Sequence, residues 1–290
     1  MGLARLLPRP AVRAADEPAA ADAPEKKEAP APERAQVLSL ANQKGGVAKT
    51  TTVQSLGVAM AEDGRRVLVV DLDPQACLTF SFGFDPDALD ASLHDVLVRR
   101  ARLADVVCPV PGVDGLTIVP ATIDLAGAEV HLLSRTGREH VLARALVSVL
   151  DDYDAVLIDC PPSLGVLTIN GLTAAEAVIV PLQCEALSHR GVGQLLETIE
   201  DVRQFANEKL QVLGVIPTLF DARTTHSRQV LCEVGDRYGL PVFEPAVPKS
   251  VRFAEAPGLG VSVLQHAPSS PGAVAYRTLS ARVFDAMQSA

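Results

Sequence analysis

The chain has 290 residues, 48% of them hydrophobic and 21% charged, which is enough apolar material for one large domain or two small ones. A formal net charge of −9 excludes adhesion to nucleic acid by bulk charge, so any contact with DNA must come from a local basic patch. Five cysteines without a C-x-x-C pair read as buried thiols of a reducing cytosol and argue against a disulfide framework or metal cluster. No apolar run approaches the roughly 20 residues of a membrane-spanning helix.

Residues 1–35 differ in material from the rest. Ala and Pro make up 17 of these 35 positions, and six basic residues cancel six acidic ones. With almost no large apolar residue after Val12, the segment cannot offset its ordering entropy and reads as a disordered tail, with the folded domain spanning 36–290. Arg5, Arg9 and Arg13 around Leu6-Leu7 resemble a targeting peptide only superficially, because the apolar region is too short for secretion. A short partner-docking or DNA-brushing arm is the alternative reading.

Val37–Ala41 is a short apolar run leading into Gly45-Gly46, then Lys49-Thr50-Thr51 and a helical pattern to about Asp63, closed by Gly64. Strand, loop and helix in that order suit a phosphate. Glycines let the backbone approach an anion, and the N–H groups of Gly45, Gly46, Val47 and Ala48 and the helix start supply donors. Lys49 is placed to reach terminal phosphates, the Thr50 hydroxyl to ligate Mg²⁺, and Thr51 follows. The standard pattern would have Gly at 43 and 48, where this chain has Gln43 and Ala48, and Lys44 is extra. The bland alternative is a glycine turn flanked by two surface lysines.

Val67–Val70 is a continuous apolar strand, as in a parallel sheet buried on both faces, and it ends in Asp71-Leu72-Asp73-Pro74. Carboxylates at such strand ends sit where open α/β sheets bind ligands, although Asp-x-Asp alone is often a turn. Ser92–Arg100, Asp124–Leu133 and Glu139–Leu150 read as helices, and Leu116–Val119 as a strand. Ala155–Ile158 is a further apolar strand, ending in Asp159-Cys160-Pro161-Pro162; an acid there can order a Mg²⁺-bound water or merely cap a turn. Cys160 reads as packing.

Ala177–Pro181 and Gln211–Thr218 are two more strands, and Thr225–Tyr238 another helix. Val192, Leu195, Leu196, Ile199, Val202 and Phe205 recur at three and four, giving an amphipathic helix. In the last helix, Ala273–Met287, Val274, Leu279, Val283, Phe284 and Met287 fall on one side. Without a basic face, that helix is expected to dock on the domain, not on a membrane. The alternation of strands and helices predicts a doubly wound, mostly parallel α/β sheet flanked by helices, of P-loop NTPase type.

Lys44-Gly45-Gly46-x-x-Lys49-Thr50-Thr51, Asp71-x-Asp73-Pro74 and Asp159-x-Pro161-Pro162, in that order, resemble the deviant Walker A, A′ and B motifs of ParA/Soj partition ATPases in the ParA/MinD superfamily. The Pro248–Pro257 stretch resembles that family's C-terminal segment, so the resemblance spans residues 36–287. It implies ATP hydrolysis with Mg²⁺. Lys49 would hold the β- and γ-phosphates, Thr50 ligate Mg²⁺ with Asp159 ordering one of its waters, and Asp73 position or deprotonate the attacking water near the metal. Asp71 would support the switch. Lys44 would reach across a homodimer to the partner's nucleotide, sandwiching two ATP molecules. Asn170 and Pro248 would contact the base. Ala48 departs from the family pattern and is expected to be tolerated if its φ is negative; Cys77 also departs from it. The resemblance further implies a ParB-like partner, a cytoplasmic, nucleoid-associated location, and non-specific DNA binding, for which Arg223, Arg228, Lys249 and Arg252 are the candidates. A MinD-like or other cargo-positioning ATPase acting on a membrane or protein surface is the alternative. A biosynthetic ligase such as the cobyrinate amidation enzymes would need a substrate pocket or glutaminase domain that the chain is expected to be too short to add, and nitrogenase-type reductases need suitably placed cysteines.

Overall fold

The computed structural model describes residues 34–185, 188–221 and 223–289. Seven strands form one sheet: β1 (Gln36–Leu40), β2 (Val67–Asp71), β3 (Cys108–Pro109), β4 (Leu116–Val119), β5 (Ala155–Asp159), β6 (Ala177–Gln183) and β7 (Gln211–Thr218). Their order is β3-β4-β2-β5-β1-β6-β7, with every pairing parallel except the edge pair β3–β4. The helices are α1 (Lys49–Glu62), α2 (Cys77–Ser81), α3 (Leu93–Leu97), α4 (Leu125–Leu133), α5 (Val141–Leu146), α6 (Val166–Ala174), α7 (Ser188–Phe205), α8 (Thr225–Tyr238), α9 (Arg252–Glu255), α10 (Val263–His266) and α11 (Pro271–Gln288).

The period-2 alternation of the strands divides the core into two layers. Val37, Leu68, Val70, Val156 and Ile158 face one layer, shared with α4–α8. Leu38, Leu40, Val67, Val69 and Leu157 face the other, shared with α1, α10 and α11. Both faces are covered, which is why these strands read as unbroken apolar runs.

Several elements differ from the sequence expectation for local reasons. The helix expected over Ser92–Arg100 is only Leu93–Leu97, started by a Ser92–Asp95 capping box, and Arg100 takes a positive φ of 62°. The span expected as one helix from Glu139 is broken into a 3₁₀ turn, α5 and a second 3₁₀ turn. Phe205, assigned to the buried stripe of α7, is 75% exposed at the helix end, whereas Val192, Leu195, Ile199 and Val202 are buried. On α11, Val274 is 52% exposed and Tyr276 takes its place against α1. The tail reading falls outside the described residues up to position 33, but its last two residues belong to the fold. Arg34 pairs with Glu176 at 3.0 Å, and buried Ala35 donates its N–H to the Leu150 carbonyl at 3.1 Å.

Candidate active site

Strand register builds the site. Leu40 stands beside Asp159 in the β1–β5 pairing, and Asp71 beside Asp159 in the β2–β5 pairing, so three strand ends meet at the carboxyl edge of the sheet. The helix after β1 covers one face and the helix after β5 the other, which opens the crevice between them to ligands. Gly45, Gly46, Ala48, Lys49, Thr50, Thr51, Asp73 and Pro162 line one cleft there, of about 560 Å³.

The loop between β1 and α1 is fixed from several sides. Asn42, buried, donates from Nδ2 to the Pro181 carbonyl at 2.7 Å and accepts the Lys44 N–H at 2.9 Å. The Thr218 hydroxyl donates to the Val47 carbonyl at 2.8 Å, tying the loop to the end of β7. Gly46 takes a φ of 74°, a region its missing Cβ makes accessible. Ala48 also lies there, at φ 61° and ψ 34°, as the residue that opens α1. The condition of a negative φ for Ala48 is therefore not met: the geometry suits glycine, and alanine holds it under strain of about 1–2 kcal/mol.

Lys49 is 7% exposed, and among the described residues its ammonium donates one long hydrogen bond, at 3.4 Å, to the Lys44 carbonyl. Burial holds its pKa below the ordinary lysine value, with Asp159 pulling the other way. Asp159 is 1% exposed, and among the described residues neither carboxylate oxygen makes a well-formed hydrogen bond, with the Thr50 hydroxyl as its polar neighbour. Burial, and then Asp71, push its carboxyl well above the usual range, while neighbouring Thr50 and Lys49 oppose the shift. A buried carboxylate with idle oxygens is costly in isolation and points to a missing cation. Mg²⁺ keeps several waters and takes one or two carboxylates plus phosphate oxygens, so Asp159 and the Thr50 hydroxyl beside the phosphate loop fit it. Among the described residues no three His, Cys, Asp or Glu form an all-protein cage, as this mode of binding requires none.

Asp71 and Asp73 have separate tasks. Asp71 is fully buried; it accepts from the Thr79 N–H at 2.8 Å, the Thr79 hydroxyl at 2.7 Å and the Asp73 N–H at 3.2 Å. Burial raises its pKa to about 6, against those hydrogen bonds. Thr79 Oγ1 in turn accepts the Ala121 N–H at 2.9 Å, so Asp71 anchors the turn after β2 to α2 and to the end of β4. Asp73, half-buried, accepts the Gln75 N–H at 2.9 Å and lines the cleft. Cys77 lies beside it, its thiol pKa raised by burial and by Asp73. Cys160 is fully buried and burial pushes its thiol up to about 12, so it packs and does not react.

Asn170 is a correction. It is fully buried on α6, donates to the carbonyls of Arg138 and Val166 at 2.8 Å each, and accepts the Leu142 N–H at 3.2 Å. Both amide N–H groups and one Oδ1 lone pair are used in tying α6 to α5, and the buried side chain is not among those lining the phosphate-loop cleft. Pro248 lies in a second cavity, of about 780 Å³, with Phe220, Asp221, Arg223, Lys249 and Val274. Arg223 pairs with Asp221 at 2.8 Å and Arg252 with Glu255 at 2.9 Å, both exposed. Arg228 lies in α8, with its side chain outside the described set. Asn42, Gln54, Thr79 and Glu185 complete the site's surroundings without a sequence signal, because their partners are distant in the chain. Gln54, for example, donates to the Ser81 carbonyl at 2.6 Å.

This fold, with a lysine and threonine in a phosphate loop and unsatisfied carboxylate beneath them, defines a P-loop ATPase. A family profile described as "AAA domain" matches residues 35–212. The chain is 42% identical over 248 residues to the sporulation initiation inhibitor protein Soj of Bacillus subtilis, across 86% of this chain and 98% of that one. It is 44% identical over 259 residues to the chromosome-partitioning ATPase Soj of Thermus thermophilus, across 89% and 99%. A solved structure of cobyrinic acid a,c-diamide synthase from Mycobacterium smegmatis, with bound ATP analogue and magnesium, is 54% identical with a TM-score of 0.78, across 88% of this chain and 96% of that one. The chain belongs to the Soj/ParA family of partitioning ATPases, in the ParA/MinD superfamily.

Proposed function

We propose that the chain is an ATP-gated partition switch. It dimerises through two sandwiched ATP molecules, binds DNA without sequence preference as the dimer, and moves a ParB-like partner and its cargo over the nucleoid in the cytoplasm. The observation that carries the nucleotide chemistry is Asp159, a buried carboxylate with both oxygens idle beside Lys49 and Thr50.

Lys49 places a poorly solvated ammonium at the β- and γ-phosphates, and the loop N–H groups complete the cradle. Asp73 orients the attacking water and holds its proton, while Asp71 fixes the turn that carries Asp73. The Thr50 hydroxyl and Asp159 would hold Mg²⁺, which when bound would supply charge neutralisation for the phosphates. Removing the Lys49 cation would cost on the order of 10²–10³ in rate. Lys44, just before the two glycines, would serve the partner's nucleotide. Pro248 is the base-side residue; β7, tied to the loop through Thr218, leads into its cavity. Lys249 and Arg223 on that cavity, with Arg252 and Arg228, are the candidate phosphate contacts for DNA. DNA must compete there with Asp221 and Glu255 for the two paired arginines.

A gel-shift assay tests this. Asp73→Ala protein with Mg²⁺-ATP, bound but not turning over, shifts a random-sequence duplex at low salt; the shift fades steeply as salt rises and is absent for Lys49→Ala. No shift with Asp73→Ala would favour a MinD-like ATPase acting on another surface. The 54% identical solved structure favours a second reading, ATP-dependent amidation of a corrinoid acid. Phosphate release that needs neither glutamine nor an acid substrate, and that DNA with a ParB-like partner stimulates, would exclude it.

A further inference from the structure

We infer that Glu185 is a positioning residue for Lys44: it holds the lysine at its own sheet edge and must release it before the lysine can reach a second protomer's nucleotide. This rests on the cross-dimer role of Lys44 proposed above.

The end of β6 grips Lys44 at two points. Its backbone N–H is held by Asn42, which is itself bonded to the Pro181 carbonyl of β6. Its ammonium pairs with Glu185, two residues past the end of the same strand. Gln183 Nε2 donates to the other Glu185 oxygen at 2.7 Å, so the carboxylate is oriented toward the lysine and not merely near it. Gly191 places the first turn of α7 in ordinary contact distance of this arrangement. A Cβ there would lie 3.5 Å from Asn42 Oδ1 and 4.0 Å from the Lys44 nitrogen.

Lys44 is a point charge on a flexible stem, so it can change partners without moving the loop that carries it. It cannot serve Glu185 and a second triphosphate together, since a carboxylate brought against phosphate oxygens is repelled. The pair is partly exposed, 33% for the lysine and 54% for the glutamate, which makes it weak enough to exchange. An exposed pair biases an equilibrium by roughly threefold, and a two-fold symmetric dimer must open two, so the effect on dimerisation is squared to about tenfold.

The experiment is analytical ultracentrifugation with Mg²⁺ and adenosine 5′-(γ-thio)triphosphate on wild type, Lys44→Ala, Glu185→Gln and Glu185→Asp. Glu185→Gln is expected to dimerise at about tenfold lower protein concentration than wild type, with the apo melting temperature lowered by no more than about 2 °C. Glu185→Asp, which keeps the charge, returns most of the way to wild type. Lys44→Ala stays monomeric. A Glu185→Gln midpoint within twofold of wild type, or above it, overturns the holding role while leaving the cross-dimer role intact. Lys44→Ala dimerising like wild type would overturn the cross-dimer role, and the holding role with it.

Discussion

Ala48 shows what a motif match conveys and what it omits. The eight-residue pattern located the phosphate loop, because glycine, lysine and threonine at fixed spacing carry their own chemistry. It could not report the backbone angle at position 48, which depends on how the loop closes onto Asn42 and Thr218. Ala76 repeats the device, opening α2 at φ 52°. Replacing Ala48 with glycine relieves left-handed strain of about 1–2 kcal/mol and adds unfolded-chain entropy of about 0.5–1 kcal/mol. Ala48→Gly is therefore expected to stabilise the apo protein by about 0.5–1 kcal/mol, or roughly 1–4 °C in melting temperature by calorimetry. Asn170 illustrates the opposite failure. A polar residue following the Asp159 motif invites a ligand role from sequence, and only the fold shows its amide bonded to Arg138, Val166 and Leu142.

At the scale of elements, legibility follows length and burial. β7 and α8 have the bounds their patterns predict, because a long apolar run or a sustained 3.6 period leaves few alternatives. β3 escaped notice because two residues cannot show a period, and α3 was overestimated because its capping box starts a helix that Arg100 promptly ends. The irregularity in the β6–β7 pairing was likewise invisible. Val178 pairs with Val212 but Ile179 with Gly214, a bulge that skips one residue of β7. Gly214 takes φ 144°, and a Cβ there would stand 2.2 Å from the Pro241 carbonyl oxygen, a backbone atom that cannot yield cheaply. Gly214→Ala is expected to destabilise by roughly 3 kcal/mol, the sum of overpacking and backbone strain. Because β7 leads through Thr218 to Val47, nucleotide affinity should fall with it. Chemical denaturation alongside ADP titration checks both, and unchanged stability would mean that the β7–Pro241 contact is soft.

For the whole molecule, the carboxyl edge of the sheet is built for a cation and is costly without one. A carboxyl whose folded pKa is raised lends stability that is complete below the ordinary carboxylate range and is lost as pH rises through its folded value. Asp71, raised to about 6, behaves so, and Asp159, which burial and Asp71 push well above the ordinary carboxylate range, carries a penalty of the same sign in the apo protein. On the proposed reading, magnesium nucleotide would convert that penalty into binding. Asp159→Asn is therefore expected to raise apo stability by about 1–3 kcal/mol and to make it less dependent on pH, since an amide needs no proton to be buried neutral. The same substitution should remove the Mg²⁺-dependent part of nucleotide stabilisation, which in wild type reaches about 2.7 kcal/mol at a hundredfold excess over Kd. In wild type that Mg²⁺-dependent gain should also fade on acidification, beginning above the pH at which an ordinary aspartate protonates. Thermal melts with ADP, with and without Mg²⁺, from pH 5 to 8 separate these effects. An Asp159→Asn protein less stable than wild type without ligand, yet still responsive to Mg²⁺, would show that the carboxylate serves the fold and that the metal is held elsewhere.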